Sequence, residues 1–229
     1  MDDRPAVRAL SPLRKVIALR MQEAAQTIPH FRLMAELEMD ALLGAREVFN
    51  AQSGGRVSLN DCLIKACATA LMQHPELNCS LVGEELHQYR DADISVVVAV
   101  PGGLSTPVVR QANRKSVREI AGEVQSLAAR ARQRQLRMEE IVGGSFSISN
   151  LGAYGVEQFD ALINPPQCAI LAIGCIKPAL ALGEDGSLRV LRTLKATLSL
   201  DHRVLDGAVA APFLMTLRML MQQPQQLLV

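Results

Sequence analysis

Helical and strand-like patterns of apolar residues follow one another along the chain, and no single rhythm repeats. Ser11-Pro12 suits the start of a helix, because a serine oxygen can take a free backbone N–H and a first-turn proline gives up none that the helix needs. Leu13, Val16, Ile17, Leu19 and Met21 then recur among Arg14, Lys15 and Arg20. That spacing predicts an amphipathic helix ending before Pro29. From His30 to Met39 the period drops to two. Phe31, Leu33, Ala35, Leu37 and Met39 share one side, while Arg32, Glu36, Glu38 and Asp40 share the other, with Met34 as the exception. This is the pattern of a half-buried strand. Asp40 can cap a helix over residues 41–51 that Gly54-Gly55 stops. Ser58 can cap the next, with Leu59, Leu63, Ile64, Cys67 and Leu71 at helical spacing before His74-Pro75.

Residues 78–82, 85–89 and 94–100 read as strands, with Gly83 between the first two and a Pro101-Gly102-Gly103 turn after the third. Residues 104–110 form a further extended piece. Ser116 and Glu119 make a capping box, in which each side chain can satisfy a free backbone N–H. Ile120, Val124, Leu127, Ala128 and Ala131 then line one face of a long helix. Strands are expected at 145–149, 168–176 and 188–200, with a turn at 183–187. A last helix runs from about Gly207 to Met221, with Phe213, Leu214 and Leu217 on its apolar face. Strands and helices that mix without a strict βαβ rhythm predict one α/β (α+β) domain, a mixed sheet with flanking helices. Residues 1–10, which fit no core element, read as a linker remnant, leaving 11–229 as the domain.

The 229 residues are 49% apolar, enough for a sizeable core. The 24 basic and 23 acidic side chains nearly cancel, so no global nucleic-acid or membrane-surface footprint is visible. Aromatics at 3% offer few platforms for stacking bases. The longest apolar runs, 94–100 and 168–176, are too short to cross a bilayer as helices, and the charged start lacks the apolar stretch of a signal peptide. The five cysteines (Cys62, Cys67, Cys79, Cys168 and Cys175) are odd in number and form no Cys-x-x-Cys, which predicts buried reduced thiols. His30, His74, His87 and His202 are scattered without ligand spacing, so no metal is expected.

The segment from Leu198 to Ala208 carries the most suggestive chemistry. A strand delivers His202 to a short polar connection, and a helix begins soon after. A histidine at the end of a buried strand can be partly desolvated and oriented by neighbouring backbone, which keeps a neutral imidazole ready to accept a proton. The blander reading has Asp206 capping the last helix, Gly207 easing the turn and His202 as a satisfied core residue. The spacing His-x-x-x-Asp-Gly does not decide between them.

Five segments, taken in order, decide it by resemblance. Asp201-His202-Arg203-Val204-Leu205-Asp206-Gly207-Ala208 resembles the Asp-His-Arg-x-x-Asp-Gly-Ala signature of dihydrolipoamide acyltransferases, the core components of 2-oxo acid dehydrogenase complexes. Chloramphenicol acetyltransferase shares that fold and the His-x-x-x-Asp-Gly core. Residues 13–21 with Ile28-Pro29-His30-Phe31 resemble the family's opening helix and its Pro-His. Residues 93–104 with 106–110, Phe146-Ser147-Ile148-Ser149-Asn150-Leu151-Gly152, and 163–167 with 169–174 match its further segments. The likeness runs from about residue 9 to the end.

The resemblance implies a chloramphenicol acetyltransferase-like fold and reversible acyl transfer between dihydrolipoamide and coenzyme A, most similar to acetyl-transferring members in residues 159–167 and 224–229. It implies His202 as the general base and Ser149 as the donor to the oxyanion. It implies Asp206 as a structural, loop-holding residue paired with an arginine, either Arg14 or Arg203. It further implies trimers with each site at a subunit interface, built into a 24-subunit cube or a 60-subunit dodecahedron and serving E1 and E3 components. The compartment would be the cytoplasm, or the mitochondrial matrix in a eukaryote. The lipoyl and peripheral-subunit-binding segments of such proteins are not in this sequence, which fits either a part of a longer chain or a solitary core. The tail Leu227-Leu228-Val229 is expected either to join trimers or to fray. Arg130, Arg132, Arg134 and Arg137 are expected either to meet coenzyme A phosphates or to form a solvated helix face. A non-catalytic scaffold and an acetyltransferase for a small hydroxylic acceptor are the alternative functions.

Overall fold

The computed structural model describes residues 6–183 and 186–228. Part of the expected linker (1–5), two residues of the expected 183–187 turn and the final Val229 lie outside the described residues. The chain runs α1 (Pro12–Thr27), β1 (His30–Glu38), α2 (Asp40–Ser53), α3 (Leu59–Gln73), β2 (Cys79–Val82) and β3 (Glu85–Gln88). It continues through β4 (Ile94–Val96), β5 (Val98–Val100), β6 (Gly103–Ser105), β7 (Val108–Val109), α4 (Val117–Arg132) and β8 (Phe146–Asn150). Last come β9 (Ala169–Ile173), β10 (Lys177–Leu182), β11 (Leu188–Asp201) and α5 (Gly207–Gln222).

The main sheet has the order β1-β11-β9-β8-β4-β7, with β10 paired to the first part of β11. β8 runs parallel to both β4 and β9, and the other pairings are antiparallel. The sheet is therefore mixed, as the sequence predicts. Its two faces differ because side chains alternate along each strand. One face carries Ile148, Leu171, Leu198 and Leu33, which stand in register across four strands and pack into the main core with residues of α2–α5 such as Leu63, Phe213 and Leu217. Burying each such leucine contributes about 1.5–3 kcal/mol. The other face carries Ser95, Ser147, Ser149, Thr197 and Ser199. A smaller apolar cluster covers its middle, where Ala24 and Ile28 meet Ala161, Ile163, Ile170 and Ala172.

Sequence patterning places most elements and misplaces a few for visible reasons. The run 94–100 is not one strand. Val97 N–H donates to Ile148 O at 3.0 Å, and beyond it the chain leaves the sheet to form a separate β5–β6 hairpin. Residues 104–110 are divided in the same way, and the strand expected at 168–176 is shorter, Ala169–Ile173. Asp40 does not cap α2. It lies inside the helix, and its carboxylate takes Arg192 N–H at 2.8 Å and Arg192 Nε–H at 2.6 Å. These bonds, the backbone one first, hold the Asp40 carboxyl below the usual carboxylate range. At the C terminus, Leu227 is fully buried in the chain's own core, beside α2 and α5. At Leu227 the tail therefore neither frays nor reaches outward.

Candidate active site

Strand β11 ends at Asp201, which is 1% exposed, and the next residue, His202, is exposed in the single chain. The desolvation expected for His202 thus stops one residue short of it. Orientation by neighbours is nonetheless strong. His202 N–H donates to Pro29 O at 3.1 Å, which ties the turn to the start of β1. The Phe31 ring meets the imidazole edge-on, with centroids 5.0 Å apart and planes at 77°. Gly207 follows from the same packing, since a Cβ there would lie 3.1 Å from Phe31 Cε1.

Asp201 anchors the turn from below. Its carboxylate accepts from Arg203 N at 3.0 Å, from Arg203 Nε at 3.0 and 3.1 Å, and from Arg203 Nη2 at 2.6 Å. A fork of this kind fixes orientation as well as charge, and it raises the Arg203 guanidinium above its ordinary value. Arg203 is therefore committed to Asp201 and not to Asp206. Asp206 is the N-cap of α5, where its Oδ1 accepts Ala208 N–H at 2.9 Å and Val209 N–H at 3.1 Å. These bonds face the helix, so within one chain the carboxylate serves α5. The pairing of Asp206 with Arg203 is corrected accordingly. Arg14 sits in the first turn of α1, with its backbone N–H on Ser11 Oγ.

Ser149 lies half-buried near the end of β8, opposite Ala172, which in turn stands opposite Thr197. It is thus two strands across and five residues along from His202. Strand spacings of ~4.8 Å and ~3.3 Å per residue put the two roughly 20 Å apart. One chain does not bring Ser149 and His202 to a common reacting atom. Asn150 beside Ser149 takes Gly152 N–H at 2.9 Å and turns the chain out of the strand.

A cavity of about 420 Å³ opens beside the turn, lined by Glu23, Thr27, Ile28, Gln167, Asp201 and Arg203 among others. The four arginines at and just beyond the end of α4 are mostly occupied. Arg130 pairs with Glu140 at 2.6 Å, Arg137 with Glu139 at 2.8 Å, and Arg134 donates to Pro101 O at 3.2 Å. Arg130 and the Arg137 backbone hold the Glu140 carboxyl down at about 2. The solvated-face reading of that group fits these bonds better than a phosphate site. Among the described residues no group of three or more His, Cys, Asp and Glu could hold a metal, and no helix is long and apolar enough to cross a membrane. Pattern reading misses the part played by Pro29 O, Phe31 and the Asp201–Arg203 fork. The only signal for the fork was an acid two residues before an arginine at a strand end.

The comparisons with known proteins show the family. The family described as 2-oxoacid dehydrogenases acyltransferase (catalytic domain) matches residues 3–229. The acetyltransferase component of the pyruvate dehydrogenase complex of Zymomonas mobilis is 43% identical over 224 residues, covering 94% of this chain and 49% of that protein. Its counterpart in Rickettsia conorii is 40% identical over 221 residues, covering 95% and 53%. The chain thus spans about half the length of these relatives. Among solved structures, a probable dihydrolipoamide acetyltransferase from Listeria monocytogenes superposes with a TM-score of 0.90 at 31% identity, covering 96% of this chain and 95% of that one. The cubic core of a pyruvate dehydrogenase multienzyme complex superposes at 0.92 with 28% identity, covering 99% and 95%. Chloramphenicol acetyltransferase, at 11% identity and 0.56, shares the fold. By these matches the chain belongs to the acyltransferases of 2-oxoacid dehydrogenases and carries their catalytic domain.

Proposed function

We propose that this domain transfers an acyl group, acetyl first among them, between dihydrolipoamide and coenzyme A, with His202 as general base. The observation that carries the reading is the held imidazole. His202 stands open to a substrate, yet Pro29 O, Phe31 and the Asp201–Arg203 fork fix the turn that presents it.

The chemistry needs little more. A thiol with a pKa of about 8.5 is mostly protonated at neutral pH, so attack on a thioester gains from a base. His202 takes the proton from the coenzyme A thiol as its sulfur attacks the acyl-lipoyl carbonyl. A tetrahedral oxyanion forms, and the Ser149 hydroxyl donates to it. The intermediate collapses, expelling the lipoyl sulfur, to which His202 returns the proton. Asp206 acts on this step through the start of α5, by keeping the turn in place.

The ~20 Å between Ser149 and His202 in one chain supports a site built from two chains, with His202 of one facing Ser149 of the next. The exposed apolar side chains of β10 and the first part of β11 support assembly as well. Leu180, Leu182, Leu188 and Val190 are each more than two-thirds exposed, which is unusual for a chain that works alone. A trimer, and a cubic array of trimers like the core it superposes on, is the corresponding assembly, with lipoyl groups and partner enzymes delivered through segments outside this sequence.

Acetyl transfer from acetyl-coenzyme A to free dihydrolipoamide tests the reading. Turnover by the assembled protein, with a hydroxylic acceptor inert, is the expected result. Transfer only to the hydroxylic acceptor would move the protein to that class. Inertness with acetyl, succinyl and branched-chain donors alike would leave a scaffold.

A further inference from the structure

Two of the five thiols meet inside the fold. Cys79 opens β2, and Cys168 immediately precedes β9. Their segments run antiparallel with Ser80 opposite Gln167, which puts Cys79 directly opposite Cys168. Cys168 N–H donates to Cys79 O at 3.3 Å. In a hydrogen-bonded antiparallel pair the Cα atoms are ~5.5 Å apart, inside the ~4.4–6.8 Å that a disulfide spans. Directly opposite residues also leave the same face of their strands.

Both side chains are fully buried in the same core cluster. The neighbouring Cys79 thiol and burial push the Cys168 thiol up. What sets this pair apart is that two thiols stand opposite each other across paired strands. Cys62 is pushed up to about 12, chiefly by burial, and Cys67 is also raised by burial.

Place matters as much as pairing. Cys168 O accepts Asp201 N–H at 2.9 Å, and Asp201 both holds Arg203 and precedes His202. Leu81 and Gln167, close neighbours of the two cysteines in sequence, line the 420 Å³ cavity beside the turn.

We propose that Cys79 and Cys168 form a reversible cross-strand disulfide under a peroxide oxidant, and that the closed form slows acyl transfer at His202. One of the two sulfurs, as its thiolate, attacks a peroxide oxygen, giving a sulfenic acid and, with one proton, water. The other sulfur then displaces the second oxygen as water. Two thiols are oxidised, and one hydrogen peroxide is reduced to two waters. Closing a sulfur contact to ~2.05 Å draws in Cys168 and, through its carbonyl, Asp201. Displacements of about 1 Å around a catalytic group can cost ~10²-fold in rate. The link to rate rests on the acyl-transfer reading, whereas the bond itself does not.

The test exposes the assembled protein to hydrogen peroxide, blocks free thiols, digests without reductant and maps the peptides by mass spectrometry. The expected result is a Cys79–Cys168 linkage with Cys62 and Cys67 still free, and a tenfold or greater loss of acetyl transfer that dithiothreitol reverses. A Cys79→Ser variant that folds should keep its turnover under the same dose. Finding both thiols free in folded protein, or linked with turnover unchanged, would overturn the proposal. A wild type inert before any oxidant would instead count against the acyl-transfer reading.

Discussion

Strand β11 lives in two environments along its 14 residues. From Leu194 to Asp201 nearly every side chain is buried, and neighbouring strands flank it on both sides. From Leu188 to Arg192 it pairs with β10 alone and shows Leu188 and Val190 to solvent. One end of the strand is fixed by the core and presents His202. The other projects apolar side chains past the core, where only another surface could cover them. The difference teaches that, on the proposed reading, chemistry and assembly fall to opposite ends of one strand.

Changing the catalytic end should have the largest effect. His202→Ala, at unchanged assembled mass, is expected to lower acetyl transfer by about 10²–10⁴-fold, the usual worth of a general base. Steady-state rates against wild type measure it. Equal rates would return His202 to an ordinary surface residue.

Next in size is the core beneath that end. Leu200→Ala removes a fully buried side chain and should cost about 2–5 kcal/mol in denaturant unfolding. Val190→Ala at the outer end, compared in conditions where both proteins are dissociated into single chains, should stay within about 0.5 kcal/mol of wild type. Similar losses at both sites would erase the contrast between the two ends.

Asp206→Ala sharpens the comparison at the turn. Loss of the cap of α5 should cost about 0.5–2 kcal/mol of stability, with acetyl transfer falling less than in His202→Ala. A stable, assembled variant as inactive as His202→Ala would give the carboxylate a chemical role.

The smallest effect belongs to the outer end. Asp40 is partly exposed, and its pair with Arg192 is screened by solvent, so Asp40→Asn should cost at most about 1 kcal/mol. The sign follows from the lowered carboxyl. The stabilisation is complete above the unfolded value near pH 4 and is lost as pH falls through the lower folded value. Melting curves of the two proteins should therefore differ at neutral pH and converge in strong acid.

What was legible in the sequence follows the same division. β1 shows its alternation because one face of it is buried, and α4 shows its stripe and capping box because Ile120 and Leu127 must reach the core. β10 carries no buried residue, so nothing in its pattern reports a strand that exists through backbone pairing. At the site, spacing alone left His202 open, and the family resemblance is what pointed to His202, Ser149 and Asp206. Neither showed that Asp201, not Asp206, takes Arg203, since both acids lie within three residues of it and only the turn geometry chooses. The resemblance already pointed to a site at a subunit interface, and the strand order, which sets Ser149 and His202 apart within one chain, fits that expectation.

The central claim is that a working site takes His202 from one chain and Ser149 from another. Two variants, Ser149→Ala and His202→Ala, each assembled alone, should be strongly impaired. Dissociated together and reassembled at equal amounts, they should regain about a quarter of wild-type turnover, the share of interfaces that random mixing pairs correctly in a closed ring. Mixed assemblies no more active than the separate variants would contradict the two-chain site and return both residues to roles within one chain.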